Sequence, residues 1–202
     1  VKKMIAARSV ETSQHDILLE QFLKFYEEAV QFSKPYDNVI AVLEMLQANH
    51  NLGIILRSLG RIQDSEKSFR NAILIKPNFF EAYINLGISL EEMNNLEGAE
   101  LAYNRAIELK PDFAISHNNL ANTLQDQERY EEAIVSFKEA IRLKADFFQA
   151  YNNLGTVYFK LSNLEKAESN FLVAQAQFDK ALIKSFAKPW SIPKVLEYIS
   201  ID

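Results

Sequence analysis

Residues 118–124 read NNLANTL, and close variants of the phrase occur three more times: HNLGIIL at 50–56, INLGISL at 84–90 and NNLGTVY at 152–158. The leucines of the four stretches, Leu52, Leu86, Leu120 and Leu154, stand 34 residues apart, and each is followed by a small residue, Gly53, Gly87, Ala121 or Gly155. Three further sets keep the same step: Phe69, Tyr103, Phe137, Phe171; Ala72, Ala106, Ala140, Ala174; and Ser65, Ala99, Ala133, Ala167. A fixed period of this length implies a stacked array of similar units that bury their apolar faces against one another.

Each unit reads as two helices. Tyr83, Leu86, Gly87 and Leu90 fall at i, i+3, i+4 and i+7 and make one apolar face. Leu96, Ala99, Tyr103 and Ala106 do the same in the second helix. Short polar hinges separate the two: SLGR 58–61, MNN 93–95, QER 127–129 and LSN 161–163. KPNFF (76–80), KPDFA (110–114) and KADFF (144–148) then end one unit and begin the next. Proline stops a helix there, and Asn or Asp can start the following one.

The pattern of a large residue, Leu-Gly, a second large residue, then Ala, aromatic, Ala and Pro resembles the tetratricopeptide repeat. The resemblance covers 46–79, 80–113, 114–147 and 148–181, about two thirds of the chain. It implies an all-α solenoid, a right-handed superhelix of antiparallel helix pairs. The bulky first position is Asn49 and His117 in two units, and the terminal Pro becomes Ala145 and then Asp179. Without that last Pro the final helix is expected to run to about Phe186 as a solvating cap, with Gln175, Gln177, Asp179 and Lys180 on its surface. A helical flank occupies 1–45: one amphipathic helix over 12–32, a break at SKPYDN (33–38), then a helical lead-in. A helix extension and tail fill 182–202. The tail's PKVLEYISID is similar to a short segment of FkbM-type methyltransferases, without any Gly-rich cofactor motif.

Composition narrows the function. The 202 residues are 48% hydrophobic and 24% charged, as in a folded domain, with a formal net charge of −5. The acidic balance argues against nucleic acid, which needs clustered Lys and Arg. The sequence contains no cysteine, so disulfides, thiolate metal sites and thiol nucleophiles are excluded. No apolar run is long enough to span a membrane. VKKMIAARSV at the start is too short and polar for a secretory signal, so a cytoplasmic protein is expected. The first residue is Val, as in a piece of a longer chain. Of the three histidines, His117 replaces a core aromatic, His50 borders the first-helix face and His15 lies in the flank; none pairs with a carboxylate at metal-ligand spacing. Glu91/Glu92 and Glu131/Glu132 read as solvated faces. No catalytic residue, metal or cofactor is expected.

Asparagine is about 0.5–0.7 kcal/mol worse than Ala inside a helix, yet one recurs in every unit. Asn85 sits roughly 150° from the Tyr83/Leu86/Gly87/Leu90 stripe, so it points away from its own hairpin. Asn51, Asn119 and Asn153 share its register. In the family that the repeat resembles, first helices line the concave side. These four therefore form a line along a groove, which Asn118, Asn122 and Asn152 widen. An amide donates and accepts, as a peptide unit does. Such a line would grip extended polypeptide with little regard to its sequence. The asparagine line of O-linked N-acetylglucosamine transferases is similar, as is their NLG and LKPDF wording. Alternatively the amides are solvated or bond the neighbouring repeat. A Lys/Arg clamp for a peptide carboxylate is not supported: its positions hold His50, Ile54, Ile84, Ile88, Asn118, Asn122, Asn152 and Thr156.

The sequence thus reads as a scaffold or adaptor that binds a polypeptide partner, with self-association open to it. The second reading is the substrate-docking arm of a larger glycosyl- or methyltransferase. Leu120→Ala should cost about 2–5 kcal/mol in denaturant unfolding, as buried Leu truncations do; a cost under about 0.5 kcal/mol would break the register.

Overall fold

The computed structural model describes Lys24 and residues 39–186. Among these residues there are eight helices and no strand: α1 Val39–Ser58, α2 Ile62–Ile75, α3 Phe80–Glu92, α4 Leu96–Leu109, α5 Ala114–Asp126, α6 Tyr130–Leu143, α7 Phe148–Lys160 and α8 Leu164–Phe186. Consecutive helices pack into four hairpins, α1/α2 to α7/α8. Among the described residues the chain is an all-α array of stacked helical hairpins, as expected. The helix expected over 12–32, Lys24 aside, the break at 33–38 and the tail from 187 lie outside the described residues. The borders at 45/46 and 181/182 fall inside α1 and α8, which run through them without interruption.

Aromatic rings set the spacing inside each hairpin. Phe69, Tyr103 and Phe137 are fully buried. Phe69 lies against Gly53, Tyr103 against Gly87 and Phe171 against Gly155; a Cβ at Gly87 would stand 2.5 Å from Tyr103 Cε1. The third hairpin instead carries Ala121 at the small position, buried with Phe137 in the same core.

The hinges share one backbone device. Gly60, Asn94, Glu128 and Ser162 have φ of 75°, 58°, 61° and 57°, again at the 34-residue step. Each ends its helix with a pair of capping bonds. In the third, Glu128 N donates to Gln125 O at 3.0 Å and Arg129 N to Leu124 O at 2.8 Å. These bonds occupy carbonyls that the helix leaves open.

Each second helix packs on the next hairpin's first helix. First helices also touch one another, α1 with α3, α3 with α5 and α5 with α7, whereas second helices of adjacent hairpins do not meet. The array is therefore tighter on the first-helix side and concave there. Between repeats, Phe79 packs against His50 with ring centroids 4.9 Å apart, and Phe80 meets Phe113 edge-on at 5.3 Å.

α8 does extend to Phe186, but its surface is not a polar cap. Gln175, Asp179 and Lys180 are exposed as expected, and Gln177 is half-buried. Leu164, Leu172 and Ile183 are exposed with them.

Nothing lies within 4 Å of a Cβ built on Gly60, so Gly60→Ala isolates the cost of the left-handed backbone. It should lower unfolding stability by about 1 kcal/mol, and Glu128→Gly should raise it by up to about 1 kcal/mol. A neutral Gly60→Ala would contradict the hinge geometry.

Candidate functional site

All seven asparagines of the expected line stand on α1, α3, α5 and α7, the helices of the concave side. They divide into two groups by what their amides touch. Toward the N-terminal end, Asn51 Oδ1 accepts from Gln47 Nε2 at 2.7 Å. Asn85 Nδ2 donates to Glu81 O at 3.0 Å and lies 3.2 Å from His50 Nε2. Its Oδ1 accepts from Arg57 Nη1 at 3.3 Å. The Asn85 side chain is thereby tied to α1 of the preceding repeat. Asn119 reaches the Tyr103 hydroxyl and accepts from Asn118 Nδ2 at 3.4 Å.

A second polar clip joins α3, α4 and α5. Tyr103 Oη donates to Glu91 Oε2 at 2.8 Å, and Thr123 Oγ1 donates to Glu91 Oε1 at 2.6 Å. Burial pushes the Glu91 carboxyl up, and the two hydrogen bonds oppose that shift. Burial beside this carboxylate raises the Tyr103 phenol well above its ordinary value. Glu91 is thus no solvated face, as its adjacency to Glu92 suggested; it bridges α3, α4 and α5. Glu131 and Glu132 are exposed, and Glu132 pairs with Arg129 at 2.6 Å.

Toward the C-terminal end the remaining asparagines surround open space. Asn153 Nδ2 donates to Asn122 Oδ1 at 2.9 Å across α7 and α5. Asn118 is buried, and its Oδ1 has no hydrogen-bond partner. Asn152 is exposed. Asn118, Asn122, Asn152 and Asn153, with Phe148, Phe171 and Phe178, line one hollow of about 550 Å³. Phe148 and Phe178 meet edge-on at 5.4 Å. No ionisable side chain lines it; Gln149, Gln175 and Ala174 complete the wall. The aromatic wall was not read from the sequence as part of the site. Its signal was there: Phe178 takes the place where the other repeats carry Lys76, Lys110 and Lys144.

Among the described residues no group of His, Asp and Glu could hold a metal ion, and no helix is long and apolar enough to cross a membrane. His117 Nε2 lies 2.8 Å from Pro111 O. His50 packs on Phe69 and Phe79, and burial lowers its pKa from the ordinary 6.5; Glu81 and Asn51 pull it back up. The bond from Asn85 requires a neutral ring with a free Nε2 lone pair. A histidine lowered on folding supplies stability that is present above its unfolded pKa and lost as pH falls through and below it. Acidification from about pH 7.5 to about 5.5 should therefore lower the melting temperature of the wild type more than that of His50→Gln. Equal pH profiles would place His50 in solvent.

Comparisons with known proteins agree with this geometry. Tetratricopeptide repeat families match residues 46–79, 80–113 and 102–135, and a TPR repeat family matches 124–162. Together they span 46–162, more than half of the 202 residues. No curated protein matches the sequence significantly. The crystal structure of MamA is 19% identical, with a TM-score of 0.72 over 85% of this chain and 95% of that one. BtubC (BKLC) from P. vanneervenii is 18% identical, with a TM-score of 0.73 over 83% of this chain and 76% of that one. A Thermobaculum terrenum O-GlcNAc transferase mutant is 27% identical, with a TM-score of 0.53 over 56% of this chain and 22% of that one. The chain belongs to the tetratricopeptide repeat family, and its stacked hairpins form a protein-interaction module.

Proposed function

We propose that this module holds an extended segment of a partner polypeptide in its concave groove, gripped at the hollow between the third and fourth repeats. The observation that carries the reading is the convergence of four line asparagines with three aromatic rings on one open hollow. The amides supply paired donors and acceptors for peptide units. The rings of Phe148, Phe171 and Phe178 supply apolar surface for a side chain between them. Asn118 Oδ1, buried and without a partner in the chain, can accept a peptide N–H once its side chain turns toward the hollow it lines. Asn85 and Asn119 serve the groove indirectly by holding its wall helices in register, and Asn51 bonds Gln47 within α1. The hollow offers no ionisable group for acid–base or nucleophilic chemistry, so the chain acts by binding and not by catalysis.

A second reading is a docking arm within a larger transferase. It rests on the 27% identity to the O-GlcNAc transferase mutant, of which this chain matches 22%. In that case the hollow receives the polypeptide substrate of a catalytic domain.

Peptides of about 15 residues selected by phage display on the wild-type chain provide the probe. An Asn118→Ala/Asn152→Ala double variant should bind them roughly thirtyfold more weakly, two peptide hydrogen bonds being worth about 2 kcal/mol together. Its melting temperature should not fall, since Ala is the better helix former. Unchanged affinity in the variant, or failure to select any binder, would overturn the groove assignment.

A further inference from the structure

The last repeat leaves an apolar face where each earlier repeat meets a neighbour. We infer that a second copy of this chain covers it, the two copies meeting through the same outer face of α7 and α8.

The repeat register makes the exposure measurable. The ring position is 0% exposed in Phe69, Tyr103 and Phe137, and 37% exposed in Phe171. No following first helix lies over it among the described residues. Two neighbouring positions change chemistry as well. The first holds Arg57, Glu91 and Gln125 in the first three repeats and Phe159 in the last; the second holds Arg70, Asn104 and Lys138, then Leu172. Phe159 is 60% and Leu172 64% exposed. A terminal repeat made to face water would change in the opposite direction, toward polar residues. Here polar residues give way to apolar ones at the end of the array. Phe159, Leu164, Ala167, Glu168, Phe171 and Leu172 line a shallow hollow of about 390 Å³ in which Glu168 is the one ionic group.

Among the described residues the other end of the array shows no matching surface at these positions. Leu52 and Leu56 in the first repeat, the counterparts of Leu120 and Leu124, are 6% and 2% exposed. The positions that would receive a preceding repeat are thus already covered, which disfavours head-to-tail stacking of copies. The open face can meet its own equivalent across a two-fold axis, as isologous dimers do. α8 is about 35 Å long at 1.5 Å per residue, and two packed helices are about 20 Å wide. α7, with 13 residues, is only about 20 Å long, so the face is roughly 550 Å², about 1,100 Å² for the pair, the size of a weak, concentration-dependent interface. Its apolar character suits a homodimer core.

Sedimentation velocity on the full 202-residue chain tests this, from about 1 to about 200 µM. The wild type should convert from monomer to dimer across that range. The double variant Phe159→Gln/Leu172→Lys restores residue types that the third repeat already carries at those positions, so the fold is kept. It should remain monomeric, with an unchanged circular dichroism spectrum. Leu74→Lys, an exposed change on α2 far from the face, should dimerise like the wild type. A wild type that stays monomeric throughout would overturn the inference, as it would if another part of the chain folded over the face. A double variant that still dimerises, or a Leu74→Lys variant that does not, would also overturn it.

Discussion

In three of the four hairpins an aromatic ring occupies the space that a Cβ on the facing helix would need. Tyr103 comes so close to Gly87 that a methyl group there would overlap its ring, and Phe69 and Phe171 stand equally close to Gly53 and Gly155. Forcing extra atoms into a packed core costs about 1–3 kcal/mol, more than the roughly 1 kcal/mol of helix propensity that glycine forfeits. This contact fixes the distance between the helices of a hairpin. That distance sets which residues of the second helix reach the next hairpin, and so the pitch of the stack. The left-handed hinge residue is the second constraint, because it turns the chain tightly enough for ring and glycine to meet. With the hinge repeated every 34 residues and the ring facing a glycine, or Ala121 in the third unit, the hairpins share one geometry.

The groove follows from that geometry, and so does the division of labour among its asparagines. Bringing first helices into contact puts their inner-face amides within reach of the preceding repeat. Where the neighbour offers polar groups, the amide is used up between repeats: Asn85 with His50 and Arg57, Asn119 with Tyr103. Among the described residues no helix follows the fourth repeat, and the space beside Asn152 stays open, while Asn153 bonds Asn122. Aromatic residues of α8 fill in around it. One sequence feature thereby serves as cement at one end and as candidate grip at the other. With no following repeat among the described residues, Phe159 and Phe171 are exposed on the outer face, beside Leu172 at a position that is exposed in every repeat.

The fold was legible because period, small residues and ring positions are all one-dimensional signals. Four sets of residues at one spacing leave little freedom in the architecture. The site was legible only as a face. Helical angle placed Asn85 away from its own hairpin, correctly, but could not tell a groove from a seam with the next repeat. That depends on the partners at Arg57 and His50, 28 and 35 residues away in sequence. Glu91 shows the same limit. Beside Glu92 it looks like half of a charged surface pair, yet it is the acceptor of two hydroxyls from other helices. The apolar surface of α8 was missed for a different reason. Gln175, Asp179 and Lys180 drew attention to the polar residues of that helix, while Leu172 and Ile183, seven residues before and four after Asp179, share its face.

The central claim is that the asparagine line is cement at Asn85, as it is at the Asn153–Asn122 bond, and open surface at Asn152. Equilibrium unfolding of two single variants, Asn85→Ala and Asn152→Ala, tests it most directly. Both changes favour the helix by about 0.5 kcal/mol in isolation. Asn85→Ala also removes the acceptor of the Arg57 guanidinium and the donor to His50, so a net loss of about 1–2 kcal/mol is expected. Asn152→Ala should leave stability unchanged or raise it by up to about 0.5 kcal/mol. If Asn85→Ala is as well tolerated as Asn152→Ala, the amides do not bind the repeats together and the division fails.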